Sequence, residues 1–551
     1  MSFLTVVYSV SLNKDKSITI KNSQGDTVTS FSPKVLLDFL GKNYTDAINR
    51  KAFWDIDQAM APVLKTLGVE VCEELVKEPN CEVRFRFSGS GEIALIGFTD
   101  IKEPLPADAY SLFYHRKNQA GIKIPTEKWA SHIYSTVNHT EDDEDINDVQ
   151  EILKRTDIAI NAYRDGLHLN PMKWSSPVSV YEDNVLKNIS LPNIADIPMP
   201  LEDIDEYVAW CEEVKDREYT TNLAVGRWLK GETYNYDIQS AFGYEFSQLY
   251  DFRYSTFTKS DKPVKDAQFG LLKGLVTIYD GVKVSPICYL NKNGQTIYPT
   301  GCSWEDKLTL EEVRWIYHHK IGEFKMDYGF FQKQNAPVQP FKISMQRIFD
   351  NREQGGLVKK LAKRIGASAW SKCIQRANSK DNPYYAPNFA MQVKTHSRLK
   401  VADFIYDNNL QGSVLSIATD GVRASKSAKA TFKYGLGEWR EEAPDACIIL
   451  SPSQMITPTK KPRSIFYDEM IELINEKPDS TYYADKRKRR ETLAEAVDEG
   501  HLERVGDIID MGVSIDLLMA RLEQDYKFDD FPMCGKDLLN KKYYGQPVGV
   551  N

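Results

Sequence analysis

The chain has 551 residues, 42% of them hydrophobic, and a formal net charge of −8. That is enough for several domains, because a single core stops growing near roughly 250–300 residues, and 29 tyrosines argue for a folded body. Eight cysteines with no CxxC pair argue against a zinc ribbon or disulfide framework and for a reducing compartment, and no apolar run reaches the length of a membrane span.

An acidic balance counts mildly against a nucleic-acid protein, but the charge is uneven. Acid concentrates in "TEDDEDINDVQE" (140–151) and "LEDIDEYVAWCEEVKDRE" (201–218). Base concentrates in the C-terminal half, in "LVKKLAKR" (357–364), "KTHSRLK" (394–400), "TPTKKPR" (457–463) and "DKRKRR" (485–490). For any one basic cluster, a solvated helix face is the commoner explanation.

In chain order, "MSFLTVVYSVSLNKDK" lacks a basic leader and reads as a strand, not a signal peptide. The first 135 residues mix strands with one helix from "DIDQAM" to "ELVKE" and look like an α/β domain. Helices are expected near 145–165 and 203–215. A strand–helix unit, "ETYNYDIQSAFGYEFSQLYDF", follows, and residues 270–335 read as strands plus the helix "TLEEVRWIYHHK". A long helix is expected over 344–375 with a break at Gly355-Gly356, then a second, "APNFAMQVKTHSRLKVADFIYDNN". "SIATDGVRAS" (416–425) reads as a hairpin with Gly421 supplying positive φ at its tip. The remaining tail reads as mostly helical and polar.

Several residues carry a chemical signal. Asp237 ends an alternating strand just before a helix, where an Asp is either the helix N-cap or a group aimed into a cleft. Lys359 and Lys363 are four apart and share a helix face suited to phosphate. Asp420 sits in the hairpin. His318-His319 reads as a surface pair, not a zinc site. Carboxylates from separate segments that converge on two cations, with a basic helix nearby, are what two-metal nucleotidyl transfer requires.

In this order the segments resemble the family B DNA polymerases, most closely the short protein-primed branch of bacteriophages and linear plasmids. The family's D-x-x-S-L-Y-P motif is similar to Asp237-Ile238-Gln239-Ser240-Ala241-Phe242-Gly243. Its K-x-x-x-N-S-x-Y-G motif is similar to Lys363-Arg364-Ile365-Gly366-Ala367-Ser368-Ala369-Trp370-Ser371, and its D-T-D-S to Ala418-Thr419-Asp420-Gly421. "LGEWREE" (436–442) also resembles the family.

The resemblance implies a multidomain α/β right hand. The expected parts are an exonuclease-like domain (1–220), palm (221–343 and 391–455), fingers (344–390), and a thumb with a helical tail (456–551). It implies that Asp237 and Asp420 hold two Mg²⁺ ions, with Mn²⁺ as a substitute, and that Lys363, Lys359, Arg364, Ser240, Phe242 and Trp370 contact the nucleotide. Ser368, Lys394, Arg398, Lys460, Lys461, Arg487 and Arg489 are the expected DNA contacts. The implied partners are primer–template DNA, deoxynucleoside triphosphates and a terminal protein or other primer, in the cytoplasm of a bacterial or phage-infected cell.

The departures matter as much. Ala418 replaces the first Asp of the last motif, which puts ordinary turnover in doubt. Ala367 replaces Asn, Ser371 replaces Gly, and no K-x-Y motif is clear near "LSPSQMITP". Only "ANSKDN" separates the fingers helix from "PYYAPNFAM", so the strand-displacement insertion of that branch is expected to be absent. The family's exonuclease uses D-x-E, N-x-x-(F/Y)-D and Y-x-x-x-D. Here "VVYSVSL" has no acid, Asp55 and Asp57 are off register, and Asp148 with Glu144 is the nearest match to the third motif. The expectation is a primer-extending DNA polymerase that keeps the nuclease fold and lacks proofreading. The alternatives are a nucleic-acid-binding protein that no longer synthesises and a primase-like, primer-independent polymerase.

Overall fold

The computed structural model describes residues 3–42, 44, 48–55, 59, 62–63, 82–87, 93–98, 111–112, 120–123, 132–138, 146–172, 176–290, 296–375, 382–451, 454–458, 467–476, 485–490, 508–513 and 541–543. Two compact units emerge. One contains 1–188, 350–365 and 488–511; the other contains 189–349, 366–487 and 512–551.

The first unit is built on a five-stranded sheet in the order Thr27–Ser30, Ile18–Asn22, Phe3–Leu12, Ile48–Phe53, His132–Thr136. Phe3–Leu12 runs parallel to Ile48–Phe53, which runs parallel to His132–Thr136. A strand buried on both faces needs no polar alternation. The apolar run of Phe3–Leu12 follows from that: Val6, Val7 and Tyr8 are all buried. Helix Val149–Asn161 packs against this strand. A second, antiparallel sheet is formed by Glu82–Phe87, Ile93–Phe98, Ala120–Lys123 and Ser111–Leu112. Most of the helix expected from residue 55 lies outside the described residues.

The second unit holds an antiparallel five-stranded sheet in the order Thr220–Asn222, Val414–Ala418, Gly421–Ala424, Tyr234–Ile238, Trp439–Glu442. Tyr236 and Ile238 point into the core, with Ile417 and Val422 on the same side. Trp439 stacks on Phe404 of helix Pro387–Asp407 at 4.0 Å between ring centroids. That helix is buried nearly all round, and charged side chains on it therefore need partners. A four-stranded sheet, Ser255–Ser260, Gly322–Gln334, Phe269–Ile278, Cys302–Thr309, shares this core.

The expected break in the long helix is present. Lys342–Asp350 ends in a 3₁₀ turn, Gly355 and Gly356 both have positive φ (73° and 50°), and Gly356–Ser368 resumes as α-helix. Most of the expected helical tail lies outside the described residues. Among the described residues beyond 456 there is one helix, Tyr467–Glu476, with strands at Asp485–Arg490, Ile508–Val513 and Lys542–Tyr543. The run "DKRKRR" carries no apolar stripe at helical spacing, so a helix there would have no face to bury. No helix among the described residues is long and apolar enough to cross a membrane.

Candidate active site

Strand register assembles the centre of the site. Thr220 pairs with Ala418, Ala418 with Gly421, Gly421 with Asp237, and Asp237 with Arg440. Directly opposed residues in antiparallel strands project to the same face, so these five form one row across the sheet. Because Tyr236 and Ile238 face the core, the row lies on the open face. Asp237 is therefore a strand residue, not a helix cap. The N-cap of Ala241–Gln248 is Ser240, in a left-handed conformation (φ 57°, ψ 48°) with no side-chain cap bond.

Asp420 is next to Asp237 through the backbone: the Ile238 N–H donates to the Asp420 carbonyl at 3.0 Å. The tip of the hairpin differs from expectation. Positive φ falls on Thr419 (60°) and not on Gly421. The Asp420 N–H donates to the Ala418 carbonyl at 2.7 Å, closing a three-residue γ-turn around Thr419. This turn type is strained, and a β-branched residue at its centre is a true outlier. The Thr419 N–H to Tyr219 carbonyl bond (2.7 Å) and the contact of its Oγ1 with Thr220 Oγ1 (3.3 Å) hold it in place. Gly421 serves by lacking a side chain: a Cβ there would stand 3.3 Å from the Tyr236 carbonyl and 3.8 Å from Asp237 Oδ1.

Sequence reading missed Arg440, although "LGEWREE" contains it. Its Nη2 and Nε both donate to Asp237 Oδ2, at 2.6 and 3.1 Å, and Nη2 also reaches Glu442 Oε1 at 2.6 Å.

Phe242 and Trp370 come together with ring centroids 5.5 Å apart. The cause is a close approach of two glycines. A Cβ on Gly243 would lie 3.0 Å from the Gly366 carbonyl, and one on Gly366 would lie 2.9 Å from Ser240 Oγ. Trp370 is buried, and its indole N–H donates to the Ala367 carbonyl. Ser368 is exposed, and its carbonyl accepts from Ser371 Oγ. On helix Gly356–Ser368, Leu361, Ala362 and Ile365 are buried, while Lys359, Lys363 and Arg364 are exposed on the opposite side.

Two expected DNA contacts are corrected by burial. Lys394 is 8% exposed, bonded to Glu218 at 3.0 Å and poised 5.4 Å above the Trp370 ring. Arg398 is 2% exposed and bonded to Glu312 Oε1 (2.5 Å) and the Arg217 carbonyl (2.8 Å). Both lie at buried positions of helix Pro387–Asp407, where an ammonium or guanidinium is held by carboxylates and has no surface to offer a phosphate. Lys460 and Lys461 lie outside the described residues. Arg487 and Arg489 are on the strand Asp485–Arg490, not a helix.

The first unit contains a cavity of about 320 Å³ lined by Tyr8, Ser9, Ser11, Trp54, Asp55 and Asn147, among others. Asp55 is the one acid among its described lining residues. Asp148 instead caps helix Val149–Asn161, accepting from the Gln150 and Glu151 N–H groups. Asp57 and Glu144 lie outside the described residues. Among the described residues, no group of three or more His, Cys, Asp or Glu is placed to hold a metal.

The His318-His319 pair is half corrected. His319 is largely covered and sits 3.3 Å from Asp403, against the Trp315 ring at 4.2 Å.

These two units make a multidomain α/β protein with a DNA-polymerase-like fold. Phi29 DNA polymerase in an orthorhombic crystal form aligns with a TM-score of 0.56 at 12% identity, covering 93% of this chain and 100% of that one. Phi29 DNA polymerase complexed with primer-template DNA and incoming nucleotide substrates aligns with a TM-score of 0.52 at 11% identity, covering 93% and 99%. The same polymerase with primer-template DNA alone gives 0.52 at 10% identity. No protein-family model matches the chain, and no curated protein matches it by sequence.

Proposed function

We propose that the chain is a template-directed DNA polymerase of the family B type that extends a primer 3′-hydroxyl and does not proofread. The observation that carries this reading is that Asp237 lies on the open face of a sheet and Asp420 in the adjoining hairpin turn, joined through the Ile238 N–H to Asp420 carbonyl bond, within a polymerase-like fold. The donor set fits Mg²⁺. Both groups are carboxylates, Gly421 leaves space beside Asp237 Oδ1, and a hard cation of this kind takes its other ligands from water and triphosphate. When bound, two such ions lower the pKa of the attacking hydroxyl and neutralise the leaving pyrophosphate.

The chain's own residues then have distinct tasks. Asp237 and Asp420 would hold the ions. Lys363, Lys359 and Arg364 are exposed on helix Gly356–Ser368 and, by the family resemblance, would contact the triphosphate. Phe242, backed by Trp370, supplies an apolar surface to the sugar and discriminates against a 2′-hydroxyl by bulk. The expectation of no proofreading rests on the strand Phe3–Leu12, which lines the cavity of the first unit and carries no acid.

The test is primer extension on a defined template with Mg²⁺ or Mn²⁺. Wild type should extend, and Asp237→Asn and Asp420→Asn should lose extension while still binding duplex DNA. Equal extension by wild type and the double variant would reject the assignment.

A second reading, a DNA-binding protein that no longer synthesises, draws on the Arg440–Asp237 ion pair and on Ala418. Salt-dependent DNA binding with no incorporation under either metal would favour it.

A further inference from the structure

Resting on the polymerase reading, we propose that Arg440 is a positioning residue that acts as an internal counter-cation for Asp237 and sets how tightly the site takes a divalent ion.

Three observations combine. First, Arg440 and Asp237 are directly opposed across neighbouring strands, so the pairing is built into the register and does not depend on a chance rotamer. Second, both guanidinium donors fall on one oxygen, Asp237 Oδ2. Oδ1 is the oxygen turned toward the hairpin, 3.8 Å from where a Gly421 Cβ would stand. Arg440 thus orients the carboxylate as well as neutralising it. Third, Arg440 Nη2 is already bonded to Glu442 Oε1 at 2.6 Å. Glu442 shares the face of the row, two residues along the strand, and gives the guanidinium a second anchor.

A positive charge on Asp237 opposes a divalent ion at the same carboxylate, since each stabilises the same negative charge. The guanidinium offsets the repulsion between Asp237 and Asp420 when no ion is present. For the site to use both Asp237 oxygens, Arg440 must swing onto Glu442. Arg440 and Glu442 therefore pull in opposite directions: Arg440 weakens divalent binding, and Glu442, by drawing Arg440 away, strengthens it. A residue with a purely structural role would not show that opposition.

The experiment is Mn²⁺ titration of the full chain, reading free Mn²⁺ by electron paramagnetic resonance, without DNA or nucleotide. Arg440→Gln should bind Mn²⁺ about fivefold tighter than wild type, the scale of a partly exposed ion pair. Glu442→Gln should bind it more weakly. Asp237→Asn should lose the site. Arg440→Lys, which keeps charge without the two-donor fork, should fall between wild type and Arg440→Gln and serves if Arg440→Gln does not fold. Without divalent ions, Arg440→Gln should melt at a lower temperature than wild type, and added Mn²⁺ should raise its melting point by more.

If wild type binds Mn²⁺ and Asp237→Asn does not, yet the Arg440 and Glu442 variants match wild type, the counter-cation role is overturned and the polymerase reading stands. If wild type and Asp237→Asn bind alike, both are overturned.

Discussion

Ala418 stands in the same cross-sheet row as Asp237, separated from it only by Gly421. Neighbouring strands are about 4.8 Å apart, so the two Cα atoms are roughly 10 Å from each other on one face. An acid at 418 would project onto the face that carries Asp237, over a residue with no side chain. Ala418→Asp should therefore raise Mg²⁺-supported incorporation relative to Mn²⁺-supported incorporation. It should also lower the melting temperature without divalent ions, because a third negative charge joins Asp237 and Asp420. Steady-state incorporation in each metal, with melting curves in chelator, checks both. No change in either would show that position 418 lies outside the field of the site.

Thr419 bears the strain of the hairpin. Replacing it with Gly removes the β-branched clash at φ 60° and should stabilise the fold by about 1 kcal/mol, less what the Thr220 contact contributes. The same freedom loosens Asp420, the next residue. Thr419→Gly should thus raise the urea midpoint and lower the incorporation rate. A variant that gains stability and keeps full rate would show that the turn does not position Asp420.

How far the sequence revealed all this depends on which signals are local. The strand ending at Asp237, the hairpin around Asp420 and the Gly355-Gly356 break are written in period and turn chemistry, and the structure has all three. The position of positive φ was not legible. Gly421 looked like the flexible residue, but its value lies in the missing Cβ, while tertiary bonds to Tyr219 and Thr220 hold Thr419 in the costly conformation. Lys394 and Arg398 were misread for the same kind of reason. A basic helix looks alike in sequence whether its face meets water or carboxylates, and Glu218 and Glu312 come from distant segments. Arg440 escaped because a cross-strand partner is set by register, which a single strand does not disclose.

Arg398 offers a clean separation of packing from DNA contact. Glu312 divides its oxygens: Oε2 accepts from the Thr309 N–H in a helix capping box, and Oε1 accepts from Arg398. Arg398→Met leaves a buried carboxylate without its cation, which costs about 3–5 kcal/mol. The urea midpoint should fall accordingly. At a temperature where the variant is folded, its DNA affinity and the slope of affinity against salt should match wild type. A slope reduced by about one would instead mean that Arg398 neutralises a phosphate.

The cavity of the first unit makes a prediction about strand ends. Asp55 is the one acid among its described lining residues, and the strand Phe3–Leu12 that lines it carries none, where a metal-assisted nuclease needs a set of carboxylates. A primer with a mismatched 3′ end should keep its length when incubated with the protein and Mg²⁺, and Asp55→Asn should behave the same. Shortening that Asp55→Asn abolishes would establish a nuclease here.

Lys51 links the same unit to pH. It is fully buried in the first sheet, donating to Tyr8 Oη at 3.0 Å and to the Lys42 carbonyl at 3.2 Å, with the Tyr8 and Tyr44 rings alongside. Burial pushes its pKa down to about 7. Above pH 7 the folded protein holds fewer protons at this site than the unfolded chain, where Lys titrates near 10.4. Stability must then rise with pH across that window, by at most about 1.4 kcal/mol per unit, and this contribution is lost as pH falls through 7. Tyr8 works the other way at the alkaline end, because burial raises its pKa and the folded state keeps its proton longest. The clear range is therefore pH 7 to about 9.5, below the ordinary tyrosine value. Urea midpoints should climb over that range in wild type and in Tyr8→Phe. In Lys51→Met the climb should be much reduced. A Lys51→Met profile as steep as wild type would assign the slope to another group and show that the Lys51 ammonium is not suppressed by burial.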